Sequence, residues 1–283
     1  MYQLIEKIPQ AKYLQYQDGK LYYYNSIDSD VLNEHSEFVL GSVTKIFTAI
    51  LIMILHKLKI LSVHDKINKY IKSEVDDLST IKILDIVNHV AGLKCIPDKM
   101  KFGTYKNASD VCNTFIGEKL IVHRKGDFNY SNVGYLLLGK IIETTTGMDY
   151  LTAFQTFIFD KLDMCNTSYG FTNIKLYDDT YHELSQQHIH ERNYSTTAGC
   201  LHSCIHDLHT FFQKFIKLLD PETIMLVKKL YFFKMHRKDN YVRLYHRGGI
   251  HGGSCIIDIK YNNELKIISY DIMLETAKFS HSQ

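Results

Sequence analysis

The chain has 283 residues, of which 45% are hydrophobic and 23% charged, an ordinary globular balance that excludes a disordered chain. Its formal charge is +2, with Lys and Arg scattered among Asp and Glu, so an electrostatic grip on nucleic acid or on a membrane surface is not expected. The six cysteines are widely spaced and form no Cys-x-x-Cys pair, which excludes a disulfide scaffold and suits reduced thiols. The first twenty residues hold no apolar stretch of signal-peptide length, so a cytoplasmic location is expected.

In chain order, "AKYLQYQ" and "KLYYYN" flank Asp18-Gly19, the signal of a β-hairpin. Gly41 and Ser42 then open a long apolar helix predicted to run to about Leu61. Its apolar run stops at His56-Lys57, short of the roughly 20 residues a membrane span needs. The stretch from about 66 to 185 reads as mostly helical. Within it, "TIKILDIVNHV" is a helix stopping at Gly92, and "NVGYLLLGKIIETTTG" stops at Gly147. "DYLTAFQTFIFDKL" follows. Beyond residue 190, "HDLHTFFQKFIKLL" and a segment opening at Pro221-Glu222 read as helices. "NYVRLYH", "SCIIDIK" and "ELKIISYDIML" read as strands. Strands at both ends with helices between predict an α/β (α+β) fold. An antiparallel sheet built from both chain termini is flanked by helices and carries a mostly helical insertion. The expected organisation is one domain over 1–283, with an α/β lobe of about 1–65 plus 190–283 and a helical lobe of about 66–189.

Three short motifs bear chemistry. The first is Ser42-Val43-Thr44-Lys45 at the mouth of the apolar helix. Residues three apart share a helix face, so the hydroxyl and the amine can meet. In the first turn the backbone N–H groups lack intrahelical partners, and burial lowers a lysine pKa. Ser42 then reads as a nucleophile and Lys45 as the group that activates it. The blander alternative is a capped core helix with a snorkelling lysine. The same spacing at Ser79-Thr80-Ile81-Lys82 is better read as a helix cap by Ser79. The second motif is Tyr130-Ser131-Asn132, on a loop directly before an apolar helix. There a tyrosine can relay a proton and an amide can hold a carbonyl, or Ser131 or Asn132 is simply a cap.

The third is the glycine-rich "YHRGGIHGGSCIIDI", where Gly248, Gly249, Gly252 and Gly253 permit close backbone approach and His246 and His251 titrate near neutrality. The alternative is a glycine-rich hairpin with surface histidines. "CLHSCIHDLH" invites a zinc reading, but the knuckle spacing of structural zinc sites is absent, so no metal and no cofactor is expected.

Taken together, in this order and with these flanks, the motifs resemble the serine β-lactamase and penicillin-binding protein superfamily, specifically the class C β-lactamase-like serine hydrolases. That group carries Ser-x-x-Lys, Tyr-x-Asn, and Lys-Thr-Gly or a variant such as His-x-Gly. "KILDIVNHVAGL", with His89, Gly92 and Leu93, is similar to the family's Leu-Leu-x-His-x-Ser-Gly-Leu stretch. "TTAGCLHSCIHDLHTFF" resembles its Ala-Gly-Gly-Leu-x-Ser-Thr-x-x-Asp-Leu stretch.

The resemblance implies acyl transfer: Ser42 attacks a carbonyl, Lys45 and Tyr130 manage its proton, and Asn132 positions the substrate. Which of Lys45 and Tyr130 is the base stays open, as the two would titrate together. For the third motif His246-Arg247-Gly248-Gly249 is the favoured register and His251-Gly252-Gly253 the alternative. In the favoured one the resemblance implies that the Gly249 N–H joins that of Ser42 in an oxyanion hole. His246 then stands where a lysine often sits. Losing that fixed charge shifts the expectation toward ester or amide hydrolysis rather than efficient β-lactam destruction. The substrate class stays open among β-lactams, D-amino-acid peptides and small esters or amides. The expected partner is a small-molecule or peptide substrate, with the oligomeric state open. A catalytically silent binding or assembly protein is the rival reading.

Overall fold

The computed structural model describes residues 11–25, 35–98, 107–169, 185, 197–236, 240–250 and 252–275. Strands β1 (Ala11–Gln17) and β2 (Lys20–Asn25) form the expected hairpin. Asp18 and Gly19 both take positive φ, 52° and 77°, the geometry that matches a tight turn to the strand twist. The C-terminal strands are β6 (Phe233–His236), β7 (Tyr241–Ile250), β8 (Gly253–Tyr261) and β9 (Ile267–Glu275). These six make one antiparallel sheet in the order β2-β1-β9-β8-β7-β6, so the pairing of β1 with β9 ties the two ends of the described chain together. A second, small sheet is built from β3 (Glu37–Val39), β4 (Ser168–Tyr169) and β5 (Leu201–Cys204), with β5 in the middle.

A 3-10 turn at Gly41–Val43, packed on β7 and β8 of the large sheet, leads into α1 (Thr44–Lys57). Every residue of α1 from Thr44 to Leu55 is buried, which is why its sequence is apolar nearly all round rather than amphipathic. Phe47 stacks on Phe211 at 3.9 Å between ring centres and meets the edge of Phe159. The remaining helices are α2 (Ile83–Val87), α3 (Ala108–Asn113), α4 (Asn132–Thr146), α5 (Tyr150–Phe154), α6 (Ile205–Lys214) and α7 (Pro221–Val227). A π-helical turn, Gln155–Phe159, and a last turn, Asp160–Leu162, continue α5. Ser131 caps α4 by accepting the Gly134 N–H, and Gly147 closes it in the left-handed conformation. Among the described residues no helix is long and apolar enough to cross a membrane.

Several element boundaries differ from the sequence reading. α1 stops at Lys57 instead of Leu61, because Lys59 turns left-handed at φ 59°. The predicted helix ending at Gly92 is only the five residues Ile83–Val87, cut short by His89 at φ 57°. Asp77, not Ser79, caps the turn at Leu78–Thr80, with its carboxylate accepting the Ser79 N–H. His251 and residues 170–184 and 186–196, included in the expected lobes and motifs, lie outside the described residues.

Glycines let α4 pack at close range. A Cβ on Gly139 would lie 2.6 Å from Ala108 Cβ and 2.6 Å from Thr197 Oγ1. Substituting Gly139→Ala gains about 1 kcal/mol of helix propensity but overpacks a rigid contact at a typical cost of about 1–3 kcal/mol. The expected result is a lower denaturation midpoint in urea with an unchanged slope. An unchanged or raised midpoint would show that the α3–α4 contact relaxes freely.

Candidate active site

Ser42 sits in the 3-10 turn, held between two strands. The Leu40 N–H donates to Leu201 O at 2.9 Å, which anchors the turn to β5. On the other side β7 runs directly against it. A Cβ on Gly248 would fall 1.8 Å from Leu40 O and 2.8 Å from Ser42 N. Gly41 has φ 49°, and a Cβ there would fall 2.4 Å from Gly249 N. Only glycine fits at these places, since the backbones themselves touch. Gly253, of the alternative register, lies at the β7–β8 turn, paired with Ile250.

Lys45 is fully buried, and its Nζ lies 3.0 Å from Ser42 Oγ and 2.6 Å from the Ala198 carbonyl oxygen that accepts its N–H. That carbonyl is itself fixed. The Thr48 hydroxyl donates to Thr197 O at 2.6 Å, and the Thr197 hydroxyl donates to Tyr135 O at 2.6 Å. The amine also lies over the rings of Tyr130 and Tyr135, at 5.0 and 5.7 Å from their centres. Burial pushes the Lys45 pKa down from 10.5 to about 7, against a weaker upward pull from the Cys95 and Cys200 thiols.

The Tyr130 hydroxyl donates to Ser42 Oγ at 2.8 Å. Burial raises its pKa to about 12, the bond to Ser42 opposing. Asn132 is the first residue of α4, with its N–H on Cys95 O at 3.0 Å. The structure thus places the Lys45 amine and the Tyr130 hydroxyl each within hydrogen-bond reach of Ser42 Oγ.

His246 is in a different position from that of an exposed cation. It is buried on the inner face of β7, edge-on to Phe232, and its Nε2–H donates to Ser42 O at 3.0 Å. Burial and the nearby Lys45 hold its pKa down at about 4, so the ring is neutral. Arg247 is exposed on the opposite face of the strand. His89, quoted in the sequence only as a flank, adjoins the site. Its Nδ1 accepts the Ser131 N–H at 3.0 Å, and its ring lies 4.5 Å from that of Tyr130.

The Cys/His run is employed otherwise. Cys204 Sγ caps α6 by accepting the Asp207 N–H, and His202 Nδ1 lies 2.6 Å from the Glu37 carboxylate. Among the described residues no group of three or more His, Cys, Asp or Glu is arranged to hold a metal ion.

A family model described as Beta-lactamase matches residues 3–247. Penicillin-binding protein 4* of Bacillus subtilis (strain 168) is 33% identical over 145 residues, which is 48% of this chain and 31% of that protein. The match therefore spans about a third of that relative's length. The fold is similar to that of a D-stereospecific amidohydrolase from Streptomyces sp., with a TM-score of 0.76 at 17% identity, covering 98% of this chain and 93% of the other. A class C beta lactamase from Rhodobacter sphaeroides gives a TM-score of 0.74 at 17% identity, covering 98% and 92%.

The buried amine has a measurable effect on stability. Its folded pKa of about 7 lies below the ordinary 10.5, so between those pH values the unfolded chain binds the extra proton. The penalty is full below pH 7, about 5 kcal/mol at about 1.4 kcal/mol per pKa unit, and is relieved as pH rises toward 10.5. Lys45→Met is accordingly expected to stabilise the fold at pH 6, with a gain that shrinks steadily between pH 7 and 10. A gain that does not change with pH would show that the amine is not desolvated.

Proposed function

The chain belongs to the beta-lactamase family, and from that premise we propose that it is a serine hydrolase that cleaves small, uncharged esters or amides through an acyl-enzyme. The observation that carries this reading is the buried Lys45 amine 3.0 Å from Ser42 Oγ with no carboxylate among the groups that shift its pKa. A neutral amine can accept the Ser42 proton as Oγ bonds to the substrate carbonyl carbon. The pKa directions favour Lys45 as the base and leave Tyr130 protonated. The negative oxygen of the tetrahedral intermediate then faces the N–H groups of Ser42 and Gly249. As the acyl–leaving-group bond breaks, Tyr130 gives its proton to the departing nitrogen or oxygen and is refilled from the Lys45 ammonium. Asn132 holds the substrate carbonyl, and Gly248 keeps β7 close enough for Gly249 to reach. A water molecule, losing its proton to the same pair, releases the acid and restores Ser42.

His246 supports the choice of substrate. Its N–H is committed to Ser42 O, so in this proposal it holds the nucleophile's turn and offers no charge to a carboxylate. That favours amides, the bond class named for the D-stereospecific amidohydrolase of Streptomyces sp., over carboxylate-bearing β-lactams.

Intact mass after incubation with a serine-reactive phosphonate tests the nucleophile. Wild type is expected to gain one adduct that Ser42→Ala lacks, and a folded wild type with none would overturn the reading. With a neutral aminoacyl ester, acylation is expected to rise roughly tenfold from pH 6 to pH 8 as the amine deprotonates. An ester adduct that never decays would instead favour the silent binding protein.

A further inference from the structure

We propose that His89 is a positioning residue for Tyr130, acting as a neutral imidazole with its proton on Nε2; this rests on the reading of Tyr130 as the proton relay. Three consecutive loop residues are held by this one side chain and its backbone. Asn129 N–H donates to His89 O at 2.7 Å, and Ser131 N–H donates to His89 Nδ1 at 3.0 Å. Between them the Tyr130 ring lies against the imidazole, 4.5 Å between centres with 30° between planes. A backbone N–H can only donate, so Nδ1 carries the lone pair and the proton sits on Nε2. The backbone of His89 is left-handed, φ 57°, a conformation uncommon outside glycine and one that His, like Asn and Asp, adopts more readily than other residues. It lets the carbonyl and the ring face the same loop.

His89 is 2% exposed, and its Nε2 is buried without a partner among the described residues. A buried orphan donor costs on the order of 1–3 kcal/mol, which an apolar side chain would avoid. Leucine or phenylalanine in its place would leave Ser131 N–H unpaired and the loop free to turn. The ring is fixed from its far side by Tyr231, 4.6 Å away and edge-on, whose own N–H donates to Asn88 Oδ1 at 2.9 Å. Among the described residues the titratable groups packed around it are Lys45, His246, Tyr130, Tyr135 and Tyr231. None is an acid that would stabilise an imidazolium, and burial together with the Lys45 and His246 charges lowers the His89 pKa to about 3. The acceptor for Ser131 therefore persists over the whole working pH range.

Two measurements test this. In ¹⁵N-histidine spectra of the intact chain, His89 is expected to keep the Nε2–H pattern from pH 8 to pH 5. An Nδ1–H tautomer or an imidazolium in that range would overturn the proposal. The second is a double-mutant cycle on the rate of acylation by a neutral ester. His89→Ala is expected to slow acylation at least about tenfold with KM little changed, whereas His89→Asn, which tolerates the left-handed backbone and can accept from Ser131, recovers part of the loss. In a Tyr130→Phe background the same substitutions are expected to cost less than about twofold more, because the group they position is gone. Equal losses in both backgrounds would mean a merely structural role and would overturn the proposal. Where His89→Ala does not fold, His89→Asn carries the cycle. A wild type that never acylates fails the hydrolase reading and this proposal with it, whereas a reactive wild type indifferent to His89 fails this proposal alone.

Discussion

The ammonium of Lys45 is buried in the core of the protein, and the arrangement around Ser42 depends on that fact. Removing a cation from water is expensive, and among the described residues no carboxylate stands beside this one to compensate. What remains is to shed the proton or to solvate it with fixed dipoles, and the fold provides for both. The Ala198 carbonyl supplies one dipole, held by a chain of threonine hydroxyls that ties α1 to α4. Ser42 Oγ supplies another. A helix buried on all sides is therefore the means by which a lysine becomes an amine near neutral pH.

The same low dielectric limits the rest of the site. Lys45, His89 and His246 are basic groups close enough to influence one another, and both imidazoles are held well below their ordinary pKa by burial and by the lysine. These three groups thus hold one mobile positive charge at most between them near neutral pH. Each histidine is then free to act as a neutral hydrogen-bonding group: His246 donates to Ser42 O and His89 accepts from Ser131. These two bonds secure the turn at Ser42 and the loop at Tyr130, with Tyr231 edge-on to both rings.

Much of the fold was legible from local chemistry. The Asp18-Gly19 hairpin, the last three strands and the Gly147 stop each follow from residues that permit one backbone conformation and few others. Ser42, Lys45 and Tyr130 stood out because costly polar groups were placed against apolar runs. The features that escaped were those that depend on partners distant in sequence. The face to which His246 points is decided by strand register, which a glycine-rich segment with histidines on both sides does not specify. The Ala198 and Thr197 carbonyls are backbone atoms with no signature of their own. His89 read as the tail of a helix because its left-handed turn is stabilised by the loop at Asn129–Ser131, forty residues further on. Ser79 lost its expected capping role to Asp77, a stronger acceptor two residues earlier.

The most direct measurement is a titration of the Lys45 side chain itself, followed through its ¹³Cε shift in selectively labelled protein and assigned with Lys45→Met. A transition near pH 7, well apart from the other lysines, is expected. A Lys45 that titrates with them near pH 10 would mean that the amine is charged at neutral pH, and a neutral-lysine mechanism at Ser42 would then be wrong.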